Sequence, residues 1–209
     1  MPYNIVTYGS LDVFYTDDID GGGRTFGQDY VSHIAENIGP VDRLFEWCAG
    51  PAFIGFALLA AGLCKSLCLA DINPRALRAC METVRMNRLW DRVTIYLSDC
   101  LTGIPASEKW DLVVGNPPHS SSDELHPLWG PPLIYRDIGW NLHRRFYVGI
   151  HNYLKTDSNV IIQENRELST AETFREMIAA GGLSWVGSYP CRTEPNFYYV
   201  HTKRYALRT

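Results

Sequence analysis

The 209-residue sequence lacks any apolar run that approaches the ~20 residues needed for a membrane-spanning helix. Its first residues, MPYNIVTYGSLDVFY, also lack the charged leader and apolar block of a signal peptide. We therefore expect a soluble, cytoplasmic protein that does not associate with membranes.

Closely paired cysteines are also missing. No CxxC motif occurs, whereas zinc sites and disulfide frameworks need tight, repeated spacing. The six cysteines fall in apolar stretches, which predicts buried free thiols and no metal site. They are Cys48, Cys64, Cys68, Cys80, Cys100 and Cys191.

Positive charge is not in excess, because 19 Lys and Arg face 23 Asp and Glu, for a net charge of -4. This balance argues against a strongly cationic nucleic-acid binder, although a local basic patch is compatible with it. Hydrophobic residues make up 46% and charged residues 20%, which is typical of a globular chain. The length suffices for one domain with a sizeable core.

Strand and helix patterns alternate along most of the chain. Residues 3–8 and 11–15 predict a hairpin, and a helix over residues 28–38 follows. From residue 41, seven strand patterns alternate with helices, which predicts an α/β domain with a parallel sheet covered on both faces. We accordingly divide the chain into an N-terminal hairpin and helical cap, residues 1–40, and a ligand-binding domain, residues 41–209.

Two helix starts carry capping signals. Asn73 precedes Pro74, as an N-cap residue precedes a proline at the first helical position. Ser169 and Glu172 have the spacing of a capping box at the start of the last helix.

Polar residues close four of the predicted strands, and in such sheets ligands bind at the carboxyl ends of the strands. They are Glu46, Asp71, Asp99 and Asn116. A carboxylate such as Asp71 can accept hydrogen bonds from two ribose hydroxyls, which suits both nicotinamide dinucleotides and S-adenosylmethionine. The alternative for Asp71 is a charge or cap interaction with the helix that begins at Pro74.

Asp99 favours S-adenosylmethionine over a dinucleotide. Its carboxylate can accept a hydrogen bond from the exocyclic amine of an adenine, while the backbone N–H of Cys100 donates one to a ring nitrogen. A dinucleotide pyrophosphate prefers a loop richer in glycine than the one after Glu46, where Gly50 stands without the usual neighbouring glycines.

The tetrapeptide Asn116-Pro117-Pro118-His119 directly follows the strand WDLVVG. The Asn116 side-chain carbonyl and the Pro117 backbone carbonyl are acceptors held by two rigid rings. Aimed at the two hydrogens of an NH2 group, they would orient the nitrogen lone pair and stabilise positive charge developing on it. His119 can pack against a planar substrate or accept a proton. The alternative is a rigid loop without chemistry.

These segments together resemble the class I S-adenosylmethionine-dependent methyltransferases, in the branch with an (Asn/Asp)-Pro-Pro-aromatic motif. The resemblance rests on residues 46–55, LADINP around Asp71, LSDC around Asp99, and DLVVGNPPH. DINP and the overall spacing are most similar to HemK-type protein glutamine methyltransferases and their small-domain relatives. The resemblance implies a Rossmann-like fold with a mostly parallel seven-stranded sheet, helices on both faces and an antiparallel terminal strand.

The resemblance also implies a site. The implied binding residues for S-adenosylmethionine are Glu46, Cys48, Gly50, Asp71, Ile72, Asn73, Asp99, Cys100 and Asn116, and the implied catalytic residues are Asn116, Pro117 and His119. Cys48 and Ala52 stand where this family often has glycine, and His119 replaces the commoner Tyr, Phe or Trp. Candidate substrate contacts are Phe26, Tyr30, His119, Trp129 and Tyr135.

The expected activity is transfer of a methyl group to an amide, amidine-like or aromatic amino nitrogen, with S-adenosylhomocysteine as product. Expected acceptors are a peptide, a protein or a small metabolite. An RNA or DNA amino-methyltransferase and a non-catalytic partner subunit with the same fold are the alternatives. A nicotinamide-dependent oxidoreductase is a further alternative. The NPPH loop and the small number of glycines in the loop after Glu46 argue against it.

Overall fold

The computed structural model describes residues 2–20, 23–124 and 132–205, and of Phe26 and Pro132 it describes the backbone alone. The α-helices in these ranges are α1 (Phe26–Asn37), α2 (Phe53–Ala60), α3 (Pro74–Asn87), α4 (Pro132–Tyr135), α5 (Asn141–Ile150) and α6 (Arg175–Ala180). The strands in the same ranges are β1 (Asn4–Tyr8), β2 (Leu11–Tyr15), β3 (Val41–Trp47), β4 (Cys64–Asp71), β5 (Val93–Leu97), β6 (Trp110–Gly115), β7 (Leu154–Asn165), β8 (Ser184–Pro190) and β9 (Phe197–Lys203).

The main sheet has seven strands in the order β5-β4-β3-β6-β7-β9-β8. Strands β3 to β7 pair in parallel, and β9 is antiparallel to both of its neighbours. The chain runs outward from β3 to β5 and then crosses back to β6, so the strand order reverses between β3 and β6. The predicted Rossmann-like sheet with its antiparallel terminal strand is confirmed.

Apolar side chains alternate between the two faces of this sheet, as expected for strands buried on both sides. Leu44 belongs to the core shared with α1, α2, α3 and the β1–β2 hairpin. The next residue, Phe45, belongs to the core on the opposite face, shared with α5 and α6. The helices therefore cover both faces and leave the carboxyl ends of the strands accessible.

Elements β2 and α1, from the first part of the chain, pack directly onto α3 and the main sheet. The backbone N–H of Phe14 donates to Thr83 Oγ1 at 2.9 Å, which ties β2 to α3. The Tyr30 hydroxyl donates to the carbonyl oxygens of Gly115, at 2.8 Å, and Ile161, at 3.2 Å. Helix α1 is thereby fixed against the centre of the sheet.

The two predicted capping motifs have different outcomes. Asn73 caps α3 by accepting from Arg75 N at 3.0 Å, which confirms that prediction. The Ser169–Glu172 capping box is wrong: Thr170 and Thr173 form the box at the start of a short 3-10 turn that leads into α6. Ser169 is drawn inward instead, where its hydroxyl lies 2.9 Å from the Tyr198 hydroxyl.

All six cysteines are free thiols; five are buried as predicted, and Cys48 is only half-buried. Within the described ranges, no helix combines the length and the apolar character that crossing a membrane requires.

Candidate active site

A cavity of about 400 Å³ opens at the carboxyl edge of the sheet, at the point where the strand order reverses. Its wall is formed by the ends of β3, β4 and β6 and by the loops after β3, β4 and β5. All nine residues predicted to bind the cofactor line this cavity: Glu46, Cys48, Gly50, Asp71, Ile72, Asn73, Asp99, Cys100 and Asn116. Of the predicted catalytic residues, Asn116 lines the cavity, whereas Pro117 and His119 do not.

The loop after β3 has an unusual backbone. Cys48, Gly50 and Ala52 have φ angles of 52°, 52° and 62°, so alternate residues adopt the left-handed conformation. Residues other than glycine adopt this conformation at a cost of roughly 1–2 kcal/mol each. Cys48 and Ala52 therefore have the backbone conformation that glycine adopts most readily.

Asp71 ties two loops together at the cavity wall. Its Oδ2 accepts from Gly50 N and its Oδ1 accepts from Asn73 N, each at 2.7 Å. Burial raises the pKa of this carboxyl above its ordinary value, against the lowering effect of these backbone donors. Each carboxylate oxygen can accept more than one hydrogen bond, so both remain able to accept from a ligand hydroxyl.

Glu46 is a buried carboxyl at the start of the same loop, 2% exposed. Its Oε2 accepts from Gly55 N at 2.7 Å, which fixes the first turn of α2 against β3. Burial raises the pKa of Glu46 to about 8. A cation placed in the cavity would favour the ionised form of this group.

Asp99 already has a partner that sequence reasoning missed. Arg145, on α5, lies 3.0 Å from Asp99 Oδ2 and donates to Oδ1 at 3.1 Å. Both side chains are partly exposed, and both residues line the cavity. Arg145 therefore orients the carboxylate that the sequence assigns to adenine recognition.

Behind Asn116 lies a continuous row of hydrogen-bonded side chains. His119 Nε2 is 2.7 Å from Asn116 Oδ1, and His119 Nδ1 is 3.3 Å from Glu164 Oε2. The other Glu164 oxygen lies 2.9 Å from His143 Nε2, and His143 Nδ1 lies 2.6 Å from Asp137 Oδ2. We call His119, Glu164, His143 and Asp137 the buried polar chain.

Glu164 and His143 are 0% exposed, whereas Asp137, which is 4% exposed, lies at the cavity wall. Burial opposes protonation of His143, but the carboxylates on its two ring nitrogens outweigh it and raise its pKa to about 9. Burial likewise acts to raise the pKa values of Glu164 and Asp137, and interaction with His143 lowers both instead. His143 is therefore an imidazolium that donates to two carboxylates.

Sequence reasoning did not assign Glu164, His143 or Asp137 to the site. Glu164 carried one usable signal, because it stands in the apolar strand pattern VIIQEN, where an acidic side chain must find a partner. Its partner lies on another element, and no local pattern identifies it.

The structure disagrees with two of the candidate substrate contacts. Tyr30 is 0% exposed and its hydroxyl is bound to backbone carbonyls inside the sheet, so its assignment as a substrate contact is wrong. Tyr135 is 8% exposed and does not line the cavity, whereas its neighbours Ile134 and Arg136 do, so this position does not fit the prediction either. Trp129 and the side chain of Phe26 lie outside the described part of the structure.

His119 itself lies at the rear of the tetrapeptide, with 14% of its side chain exposed. Its ring meets the edge of the Phe197 ring with centroids 5.3 Å apart. Its proposed contact with substrate is therefore less direct than that of Asn116.

The sheet order and the cavity at the strand reversal are those of a Rossmann-like α/β fold with a ligand site at the carboxyl edge of its sheet. The chain belongs to the methyltransferase small domain family, whose model matches residues 4–179. The predicted family and fold are confirmed.

Two relatives illustrate the range of this similarity. The chain is 27% identical over 135 residues to the ribosomal protein uL3 glutamine methyltransferase of Francisella tularensis, a match that covers 61% of this chain and 42% of that protein. It is 30% identical over 138 residues to the release factor glutamine methyltransferase of Streptococcus pneumoniae, which covers 62% and 48%. The chain thus spans about half the length of the curated relatives it matches.

A solved structure shows the same fold. The S-adenosylmethionine-dependent methyltransferase from Clostridium acetobutylicum aligns with a TM-score of 0.63 at 11% identity, over 88% of this chain and 92% of that one.

Proposed function

We propose that this protein transfers a methyl group from S-adenosylmethionine to the side-chain amide nitrogen of glutamine in a protein substrate. The observation that carries the proposal is the position of Asn116, which joins the wall of the acidic cavity to the rigid Pro117-Pro118 turn. A methyl donor in the cavity and an NH2 group at Asn116 would then be neighbours.

The cavity fits S-adenosylmethionine in size and charge. Its volume of about 400 Å³ is in the range of small-molecule sites. The carboxyl groups of Glu46, Asp71 and Asp99 line it, which suits a cofactor with a cationic sulfonium and a cationic ammonium group. Asp71 would accept from the two ribose hydroxyls, while Asp99 and the N–H of Cys100 would bind the adenine.

The cofactor, when bound, supplies an electrophilic methyl group on a positively charged sulfur. Asn116 and the Pro117 carbonyl would accept the two amide hydrogens of glutamine and turn the nitrogen lone pair toward that methyl group. The transfer would form an N–C bond as the C–S bond breaks, with the electron pair of the C–S bond left on the sulfur of S-adenosylhomocysteine. The methylated nitrogen would then lose one proton to solvent water.

Glutamine in a protein is favoured over the other acceptors by two observations. The two curated relatives are named glutamine methyltransferases of a ribosomal protein and of a release factor. The net charge of -4 does not favour extended contact with a nucleic-acid backbone. A small metabolite and an RNA amino group are the alternatives that the experiment must separate.

The test is methyl transfer from labelled S-adenosylmethionine to glutamine-containing peptides, free amino acids and RNA, followed by mass spectrometry of the product. We expect a single methyl group on a peptide glutamine. Asn116→Ala should lower kcat more than tenfold while the cofactor Kd changes less than about threefold, because Asn116 acts on the acceptor.

Asn37→Ala is the matched control, since Asn37 is an exposed amide at the end of α1 that bonds only within its helix. Its kcat should equal that of the wild type. Transfer to RNA alone, or an unchanged kcat in Asn116→Ala, would contradict the proposal.

A further inference from the structure

We propose that Glu164, His143 and Asp137 are positioning residues that act through His119 to set which end of the Asn116 amide faces the cavity. The inference rests on the proposed function, because it assigns a role to the groups behind the acceptor-binding amide. It concerns residues of this chain alone and can be tested without turnover.

The inner end of the buried polar chain has fixed proton positions. Asp137 accepts from the backbone N–H groups of Leu142, at 2.7 Å, and His143, at 3.0 Å, so its carboxylate is locked at the start of α5. His143 donates one ring proton to Asp137 and the other to Glu164. His143 and Glu164 are 0% exposed, so water does not compete for the hydrogen bond between them.

The proton position at His119 follows from this arrangement. Glu164 is ionised beside the His143 imidazolium, and an ionised carboxylate can only accept hydrogen bonds. Its second oxygen, Oε2, faces His119 Nδ1, so Nδ1 carries a proton. A neutral imidazole carries one ring proton. When that proton is on Nδ1, Nε2 has none and acts as a hydrogen-bond acceptor.

An Nε2 acceptor requires a donor from Asn116, and the only donor of that side chain is its NH2 group. A half-turn of the amide brings the NH2 group to His119 and points the carbonyl oxygen into the cavity. An incoming NH2 group needs this carbonyl oxygen as its hydrogen-bond acceptor. The structure shows the opposite arrangement, with Asn116 Oδ1 toward Nε2, which matches a ring protonated on both nitrogens.

The His119 ring therefore has two states with opposite consequences. The neutral ring presents the Asn116 oxygen to the acceptor, and the doubly protonated ring presents its NH2 group, which repels the acceptor hydrogens. The ring is faced by Glu164 from β7 and by the Phe197 ring from β9, with His143 and Asp137 behind Glu164. Glu164 shares its charge between His119 and His143.

The first test is the tautomer of His119, read from imidazole nitrogen shifts in the nitrogen-15 NMR spectrum of the wild-type protein at pH 8. We expect a proton on Nδ1 and none on Nε2. A neutral ring with its proton on Nε2 would overturn the proposal, whether or not methyl transfer has been detected.

The second test compares Glu164→Gln with Glu108→Gln by kcat, cofactor Kd and the nitrogen-15 shifts of the His119 ring. We expect Glu164→Gln to lower kcat about tenfold with little change in Kd. The His119 ring shifts should also change in Glu164→Gln, because the amide can donate to Nδ1 as well as accept from it.

Glu108 is the matched control because it is a buried glutamate, 9% exposed, that accepts from Arg43 and Trp110 away from the cavity. Glu108→Gln should leave kcat and the His119 ring shifts as in the wild type. Equal kcat values and equal His119 shifts in the two variants would overturn the positioning role. If the wild type methylates no acceptor, the proposed function fails, and the His119 tautomer still decides this inference.

Discussion

Asp71 illustrates what single residues contribute to this site. Sequence reasoning placed it at a strand end and gave it either a ligand-binding or a helix-capping role. The structure shows that its two oxygens bind the N–H groups of Gly50 and Asn73, so it joins the loop after β3 to the loop before α3. The same carboxylate faces the cavity, and a structural contact and a ligand contact are therefore compatible.

Residue identity alone was a poor guide to substrate contact. Tyr30 was chosen as an aromatic group near the tetrapeptide, yet its ring packs against Tyr199 with centroids 4.7 Å apart inside the core. Strand ends are recognisable from the sequence because hydrophobic runs stop there. The direction in which a side chain on the cap points depends on tertiary packing, which the local pattern does not contain.

At the scale of elements, the junction of β3 and α2 is the most constrained part of the site. Gly55 lies in the first turn of α2, and a Cβ at this position would lie 2.5 Å from Glu46 Oε2 and 2.8 Å from Leu67 Cδ1. The close approach allows the Gly55 N–H to reach the Glu46 carboxyl. This small residue therefore couples a strand end to a helix start.

Gly55→Ala should lower the free energy of unfolding by about 1–3 kcal/mol, since the added methyl group overpacks the junction. It should also weaken cofactor binding, because Glu46 must move away from the cavity wall. Urea denaturation and a cofactor titration measure the two effects.

Gly62→Ala is the control beyond the other end of α2. Gly62 has φ of 72° and open space around its Cβ position, so alanine there costs about 1 kcal/mol through backbone strain alone. Its cofactor affinity should match that of the wild type. Unchanged affinity in Gly55→Ala would contradict the role given to this junction.

Most elements could be predicted from the sequence because each carries its own periodicity and end signals. The Asn73-Pro74 start of α3 is local chemistry and was predicted correctly. The start of the α6 region was displaced by one residue because Ser169 bonds with Tyr198, which is distant in sequence. The buried polar chain escaped prediction for the same reason, since Asp137, His143 and Glu164 meet only after α5 packs on β7.

At the scale of the whole molecule, two buried groups make stability depend on pH. His143 has a pKa of about 9 in the folded protein against an ordinary 6.5, so its contribution is complete below pH 6.5 and lost as pH rises through 9. Glu46 has a pKa of about 8 against an ordinary 4.5, so its burial penalty grows from pH 4.5 to 8. Both effects lower stability as pH rises.

We expect the free energy of unfolding to fall between pH 6.5 and 8.5, by up to about 1.4 kcal/mol per pH unit for each of the two groups. Glu46→Gln should reduce this slope, because the neutral amide has no proton to lose. Urea denaturation at pH 6.5, 7.5 and 8.5 measures it. Glu82→Gln, at a surface pair with Arg85, should retain the wild-type slope.

A stability that rises with pH over this window would contradict the assigned protonation of His143 and Glu46. An unchanged slope in Glu46→Gln would remove Glu46 from the explanation and leave His143 as the titrating group.

Binding of S-adenosylmethionine in the cavity at the strand reversal is measured most directly by calorimetric titration. We predict micromolar Kd values for S-adenosylmethionine and S-adenosylhomocysteine, no binding of NADH, and at least tenfold weaker cofactor binding in Asp71→Asn. Asp42→Asn, at a surface pair with Lys65, should bind as the wild type does. Absence of binding by both adenosyl ligands, or binding of NADH in their place, would contradict the account.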